Sequence, residues 1–278
     1  MSARSFTITS LILVVLSVYL FISAPAALEE QKHEEKTIPI AYALEILEHE
    51  NDIARTIYTK DIVSAGAKRG IKYDENWEDD DVHAGPLPAQ FLRLTAQSLE
   101  ENPVPLGLFL GSDYAISKSN AFEGAQLAAF KEVKESRQAA FFYVADAQRY
   151  AYMAPDIASS KPCVVCHNEH DESPKKDWKL NDVMGATTWT YPNEYVSYQE
   201  LISMVFALRK GFEDAYATML EQTQTMKVKP KVGDKWPKSG RYLPTNELFM
   251  SQVANSSDLI TMQAILQIEK NPDRGEKK

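Results

Sequence analysis

The sequence predicts an α+β fold with an antiparallel sheet and a helical C-terminal extension. Three observations predict it. Apolar residues recur at three- and four-residue spacing in two segments before residue 100. Between Leu106 and Trp189 the pattern changes to short alternating runs separated by turn residues. Beyond Pro192 only helical spacing remains. The order helix, helix, strand, helix, strands, loop, strand is that of an α+β domain.

The 278 residues are 44% hydrophobic and 25% charged, an ordinary balance for one large globular domain, or one domain with an extension. A formal charge of -9 argues against nucleic acid and anionic lipid as partners and permits a basic redox partner.

Arg4 precedes an apolar run from Phe6 to Ala24, followed by Ala24-Pro25-Ala26-Ala27. This is a signal sequence or an N-terminal membrane anchor over residues 1–27, with cleavage near Ala26 favoured slightly. Either reading exports the chain, and a periplasmic location follows. The charged stretch after it is a tether over 28–39.

A first helix carries Ala43, Ile46, Leu47, Glu50, Ile53, Ala54, Ile57, Tyr58 and Ile62, nearly all on one face, and stops at Ala65-Gly66. The acidic segment Tyr73 to His83 lacks the glycine and terminal glutamate of a calcium loop and reads as solvated. A second helix after Pro88 carries Phe91, Leu92, Leu94 and Leu99, with Arg93 available to a propionate or to solvent. Strands are expected from Leu106 to Ser117 around Gly111-Ser112-Asp113, and a helix from Asn120 through Val133. Two more strands, Ala139 to Ala145 and Arg149 to Met153, join at Asp146-Ala147, and a last strand runs from Val183 until Pro192 ends it. Ser197-Tyr198-Gln199-Glu200 reads as a capping box opening one long helix. A basic linker, Lys227 to Lys238, leads to a final helix ending near Asn271-Pro272.

The chemistry is concentrated in Cys163-Val164-Val165-Cys166-His167, which holds both cysteines of the chain. This is the spacing of c-type haem attachment: two thiols add to the vinyl groups and the adjacent imidazole becomes the proximal iron ligand. A thioredoxin-like disulfide has no need of the histidine. A zinc site built from Cys163, Cys166, His167 and His170 packs its ligands far more tightly than the usual separated pairs. One covalent haem c is therefore expected, and the chain has core enough to bury it.

The run Ala54-Arg55-Thr56-Ile57-Tyr58, Pro86-Leu87-Pro88-Ala89-Gln90-Phe91-Leu92, Ser119-Asn120-Ala121-Phe122-Glu123, the CVVCH motif and Asn181-Asp182-Val183-Met184-Gly185-Ala186 resembles the DUF3365 family, also called the Tll0287-like haem domain. The resemblance covers residues 40–191 and leaves 192–278 as the helical extension. It implies a PAS-like fold, a covalent haem c on Cys163 and Cys166 with His167 as proximal ligand, and a place in membrane signalling proteins.

The sixth iron ligand decides between electron transfer and small-ligand binding. Some members of the family use a further cysteine, and this chain has none to spare. Met153 and Met184, on the strands flanking the motif, are the distal candidates, each weighed against a role as core filler. His83, His170, Tyr150 and Tyr152 rank below them; on a helix His170 would face the same side as His167. The expected function is a haem-based redox or gas-sensing module, read out by a membrane signalling partner, with NO or CO as ligand. The alternative is a periplasmic electron-transfer cytochrome. A catalytic haem needs positioned acid-base groups, and none is assigned. The C-terminal helices pack on the haem domain or pair with a second copy of the chain.

Overall fold

The structure is a computed structural model that describes residues 12–19, 36–159, 161–236 and 240–270. Most of the leader, the tether and the chain after Lys270 lie outside these residues; the leader contributes a helix over 12–19. No described helix is long and apolar enough to cross a membrane. Residues 1–36 and the chain from Thr37 onward form separate units.

The second unit opens with β1 (Thr37–Pro39) and α1 (Ile40–Ile57). The rod continues past Ile57 as the sequence pattern requires, but Tyr58–Ser64 winds as a π-helix before a last turn at Ala65–Ala67. Side chains compete for the backbone here: Tyr73 Oη donates to the Ile62 carbonyl at 2.9 Å. Tyr58 is wholly buried, donates to the Pro86 carbonyl at 2.7 Å and stacks on Phe91. Phe91 belongs to α2 (Pro88–Glu100), which starts with proline at its first turn, where the missing N–H costs nothing.

Four strands form the main sheet: β2 (Gly107–Gly111), β3 (Ala140–Val144), β4 (Arg149–Ile157) and β5 (Val183–Tyr191). Their order is β2-β5-β4-β3, antiparallel throughout. Of the strands expected around Gly111-Ser112-Asp113, only the first forms, and it ends at Gly111. Ser112 Oγ donates to the Met184 carbonyl at 2.6 Å and accepts from Tyr114 N–H at 3.0 Å, which bends the chain away. The next helix, α3 (Gly124–Ser136), starts later than Asn120 because Lys118–Asn120 closes a separate 3₁₀ turn. β4 outruns the sequence pattern by four residues, since β5 pairs with it as far as Ile157 opposite Val183. Gly185 permits the close approach of β2: a Cβ there would stand 2.5 Å from the Gly111 carbonyl oxygen.

Alternation along the strands separates two cores. Tyr150, Tyr152, Trp189 and Leu110 face the larger one, with α1 and α2. Met153, Ile157, Ala186 and Phe109 face a smaller one under α3. β6 (Tyr195–Ser197) pairs with β1 and leads into α5 (Tyr198–Thr223), whose capping box is formed by Ser197 and Glu200 as the sequence indicates. The final helix is α6 (Asn246–Lys270).

The two long helices share the larger core. Phe212 of α5 stacks at 6.1 Å on Phe91, and Tyr216 stacks at 4.2 Å on Phe249 of α6. Arg209 of α5 fastens three helices: it donates to both oxygens of the wholly buried Glu50 on α1, at 3.0 and 2.8 Å, and to Ser257 and Asp258 on α6. The residues after 192 therefore complete the core of the unit that carries the sheet.

Candidate haem-attachment site

Between β4 and β5 the chain forms α4 (Lys161–Glu169), so the motif expected in a loop lies on a nine-residue helix. Pro162 near the start of the helix suits a first turn, whose N–H groups have no helical partner. Helical spacing puts Cys163 and Cys166, three apart, on one face. Cys163 is half-buried and Cys166 exposed. Cys163 and Val164 pack against a small cluster of Ala158, Trp178 and Met184. The return to β5 is pinned by a reciprocal pair: Asn168 Nδ2 donates to the Trp178 carbonyl at 3.0 Å, and Trp178 N–H donates to Asn168 Oδ1 at 2.8 Å.

His167 is half-buried, and its Nδ1 is buried without a hydrogen-bond partner among the described residues. Burial lowers its pKa, with His170 adding to the effect and Asp156 and Glu75 opposing it. The neutral imidazole therefore prevails at neutral pH and keeps a lone pair for a metal. His170 is engaged on both nitrogens. Its Nδ1 accepts from Glu172 N–H at 3.1 Å, which leaves the proton on Nε2 to be donated to Glu75 Oε1 at 2.8 Å.

Burial, then the negative charge of Glu75, pushes the Cys166 thiol pKa up. A disulfide-exchange nucleophile or a zinc thiolate needs the opposite shift. Among the described residues no group of three or more His, Cys, Asp and Glu side chains is placed to hold a metal ion. Two cysteines three residues apart and a neutral imidazole on one short helix fit a haem held by thioethers and one histidine.

The other candidates are dispersed. Met184 lies in the cluster against which Cys163 and Val164 pack, whereas Met153 is wholly buried in the core under α3. Tyr150 and Tyr152 face the larger core, where Tyr150 donates to Glu194 at 3.2 Å. His83 is exposed. Arg93 lines a cavity of about 340 Å³ between α2, β2 and the turn at Asn120, to which α4 contributes no residue.

Sequence reasoning missed the surroundings of the motif. Trp178 meets Tyr114 edge-on at 6.1 Å, with Lys134 5.0 Å over the Tyr114 ring and Lys175 4.8 Å over the Trp178 ring. Only the isolated tryptophan among polar residues hinted at it. Asp156 is held through both oxygens by Arg55 at 3.2 Å, joining the end of β4 to α1.

α4 joins β4 and β5, the two central strands of the antiparallel sheet, and a CxxCH helix on an α+β unit is that of a cytochrome-like domain. Residues 114–192 match the model of the Tll0287-like family (Tll0287), which places Cys163, Cys166 and His167 inside a segment of that family. No curated protein and no solved structure matches the chain.

Proposed function

We propose that this chain is an exported, single-haem c-type cytochrome with a PAS-like domain, acting as a redox or small-ligand sensing module. The observation that carries the reading is the pair of cysteines, three residues apart on α4, beside a neutral His167 and within the segment that matches the Tll0287-like model. Cys163 and Cys166 would hold a haem through thioethers, each S–H adding across a vinyl group, and His167 would ligate its iron. So held, the group would supply one-electron or diatomic-ligand chemistry. Met184, in the cluster against which Cys163 packs, is the methionine candidate for a further ligand. The PAS-like assignment is supported by four antiparallel strands with helices on both faces.

Sensing is favoured over simple carriage by the attachment of the site to the helical layer. Asp156, at the end of β4, is tied to Arg55 of α1, and α1 is tied through Glu50 to α5 and α6. A displacement at α4 therefore has a route to the long helices, where a membrane signalling partner could read it. The electron-carrier alternative is supported by the exposure of Cys166, which puts the edge of the group at the surface.

Absorption spectra of the purified haem-loaded protein, oxidised and dithionite-reduced, with and without CO and NO, separate the two. The sensor reading expects a reduced spectrum that shifts on CO or NO. A low-spin reduced spectrum indifferent to both would replace it with the carrier.

The partner at the long helices is proposed to be a second copy. Leu259, Met262 and Leu266 are exposed on α6 at three- and four-residue spacing, and Ile202 and Phe206 are exposed on α5. The contact of Arg209 with Asp258 sets the two helices antiparallel side by side, so both stripes lie toward the same end. These positions carry no charge, unlike helices that bind anionic bilayers with lysine and arginine. Light scattering of the wild type is expected to give a dimer, and Phe206→Glu with Leu259→Glu a monomer. A wild-type monomer at micromolar concentration would overturn the assignment.

A further inference from the structure

The cavity of about 340 Å³ that Arg93 lines lies between a stripe of α2 and the strand β2. β2 is an outer strand of the main sheet and pairs with β5 on one side only. Among the described residues no strand lies along its other side. Its sequence, Gly107-Leu108-Phe109-Leu110-Gly111, carries none of the charges or prolines that keep an open edge from pairing.

The two ends of the groove differ in charge. Residues 101–106 turn the chain back from α2 into β2, so Glu100 lies beside the start of the strand and Arg93 toward its end. Ser119 and Asn120 close that second end, where Ser112 N–H donates to the Asn120 carbonyl at 3.0 Å. Asn120 Oδ1 accepts from Ser119 Oγ at 3.3 Å, which leaves Nδ2 as a donor. Arg93 and Glu100 are exposed, and neither has an ion-pair partner among the described residues. Between the ends the walls are apolar, formed by Leu92, Ala96, Leu108 and Leu110.

Seven positions of helix separate Arg93 from Glu100. At 1.5 Å per residue that is about 10.5 Å. An extended chain covers the same distance in about three residues, at about 3.4 Å each.

We propose that this groove binds a short extended peptide with free ends, about three residues long, added as a strand to the edge of β2. Its terminal carboxylate meets Arg93 and Asn120, and its terminal ammonium meets Glu100. The peptide therefore runs parallel to β2, with an apolar side chain against Leu92 and Leu108. A small carboxylate reaches only one end of the groove. A strand inside a longer chain has no terminal charges to offer. α4 contributes nothing to the groove, so the site stands whether or not a haem is attached.

Titration of the isotope-labelled full chain with the tripeptide Ala-Leu-Ala, followed by amide NMR shifts, is the test. Binding is expected to weaken about tenfold or more in Arg93→Gln and in Glu100→Gln, as for loss of one charge-assisted hydrogen bond. Both side chains are exposed, so circular dichroism should not change in either variant. N-acetyl-Ala-Leu-Ala-amide, which keeps the backbone without the end charges, should bind more weakly than the free tripeptide. Amide hydrogen exchange from Leu108 to Leu110 should slow when the tripeptide is bound. No shift on adding Ala-Leu-Ala at millimolar concentration overturns the site. Equal binding by the capped peptide or by acetate, or equal binding in both variants, overturns the free-ended occupant. Shifts with unchanged exchange along β2 overturn the strand addition.

Discussion

The double variant Cys163→Ala/Cys166→Ala, expressed with a haem c maturation system, is expected to lose all haem stain on a denaturing gel. The wild type should retain its stain there and through acid-acetone extraction. The effect is all or none because only a thioether survives denaturation, and these are the chain's two cysteines. Cys163→Ala alone should leave at most one thioether and an altered spectrum. Neither change should unfold the protein. Cys166 is exposed, and Cys163 is only half-buried at the rim of a three-residue cluster, so the lost packing amounts to about 1 kcal/mol or less. Circular dichroism of the double variant checks this. Haem that leaves the wild type in acid-acetone, or a normal covalent spectrum in Cys163→Ala, would show that the attachment assignment is wrong.

Arg209→Met is expected to destabilise the protein by about 3–5 kcal/mol, the range for stripping one partner from a buried ion pair. Glu50 is 0% exposed and, among the described residues, would keep only the Thr261 hydroxyl as a donor, since Arg209 supplies its other hydrogen bonds. The bond to Asp258 adds little, because that side chain is mostly in water. Urea unfolding measures the loss. The double variant Arg209→Met/Glu50→Gln should recover most of it, for removing the stranded charge relieves the main penalty. A single-variant loss below about 1 kcal/mol would mean that Glu50 finds water or another partner.

Local chemistry was legible in the sequence, and tertiary consequences were not. CVVCH announces its cofactor because thiol spacing and an adjacent imidazole are covalent requirements, independent of fold. The Ser197–Glu200 capping box and the rod from Ala43 to Ile62 were equally readable, being set within a few residues. The π-turn at Tyr58–Ser64 was hidden, since its cause is the Tyr73 hydroxyl eleven residues away. The helical form of the motif escaped because it rests on Asn168 meeting the backbone of Trp178 across a loop. The two methionines looked equivalent on flanking strands. Strand alternation, fixed only by register, sends Met153 under α3 and leaves Met184 beside Cys163. Helical spacing set Glu50 on the apolar face of α1, but nothing local pointed to Arg209 as the cation that grips it there.

The pairing of Glu50 with Arg209, 159 positions later, also orders events in time. A ribosome makes α1 first, yet the residues that close over it, Arg209, Phe212, Tyr216 and Phe249, come last. Until they emerge, the apolar side of α1 is covered only in part, by α2 and the sheet, and so distant a contact is slow to find. Cys163 and Cys166 are thus synthesised while the main core is still open.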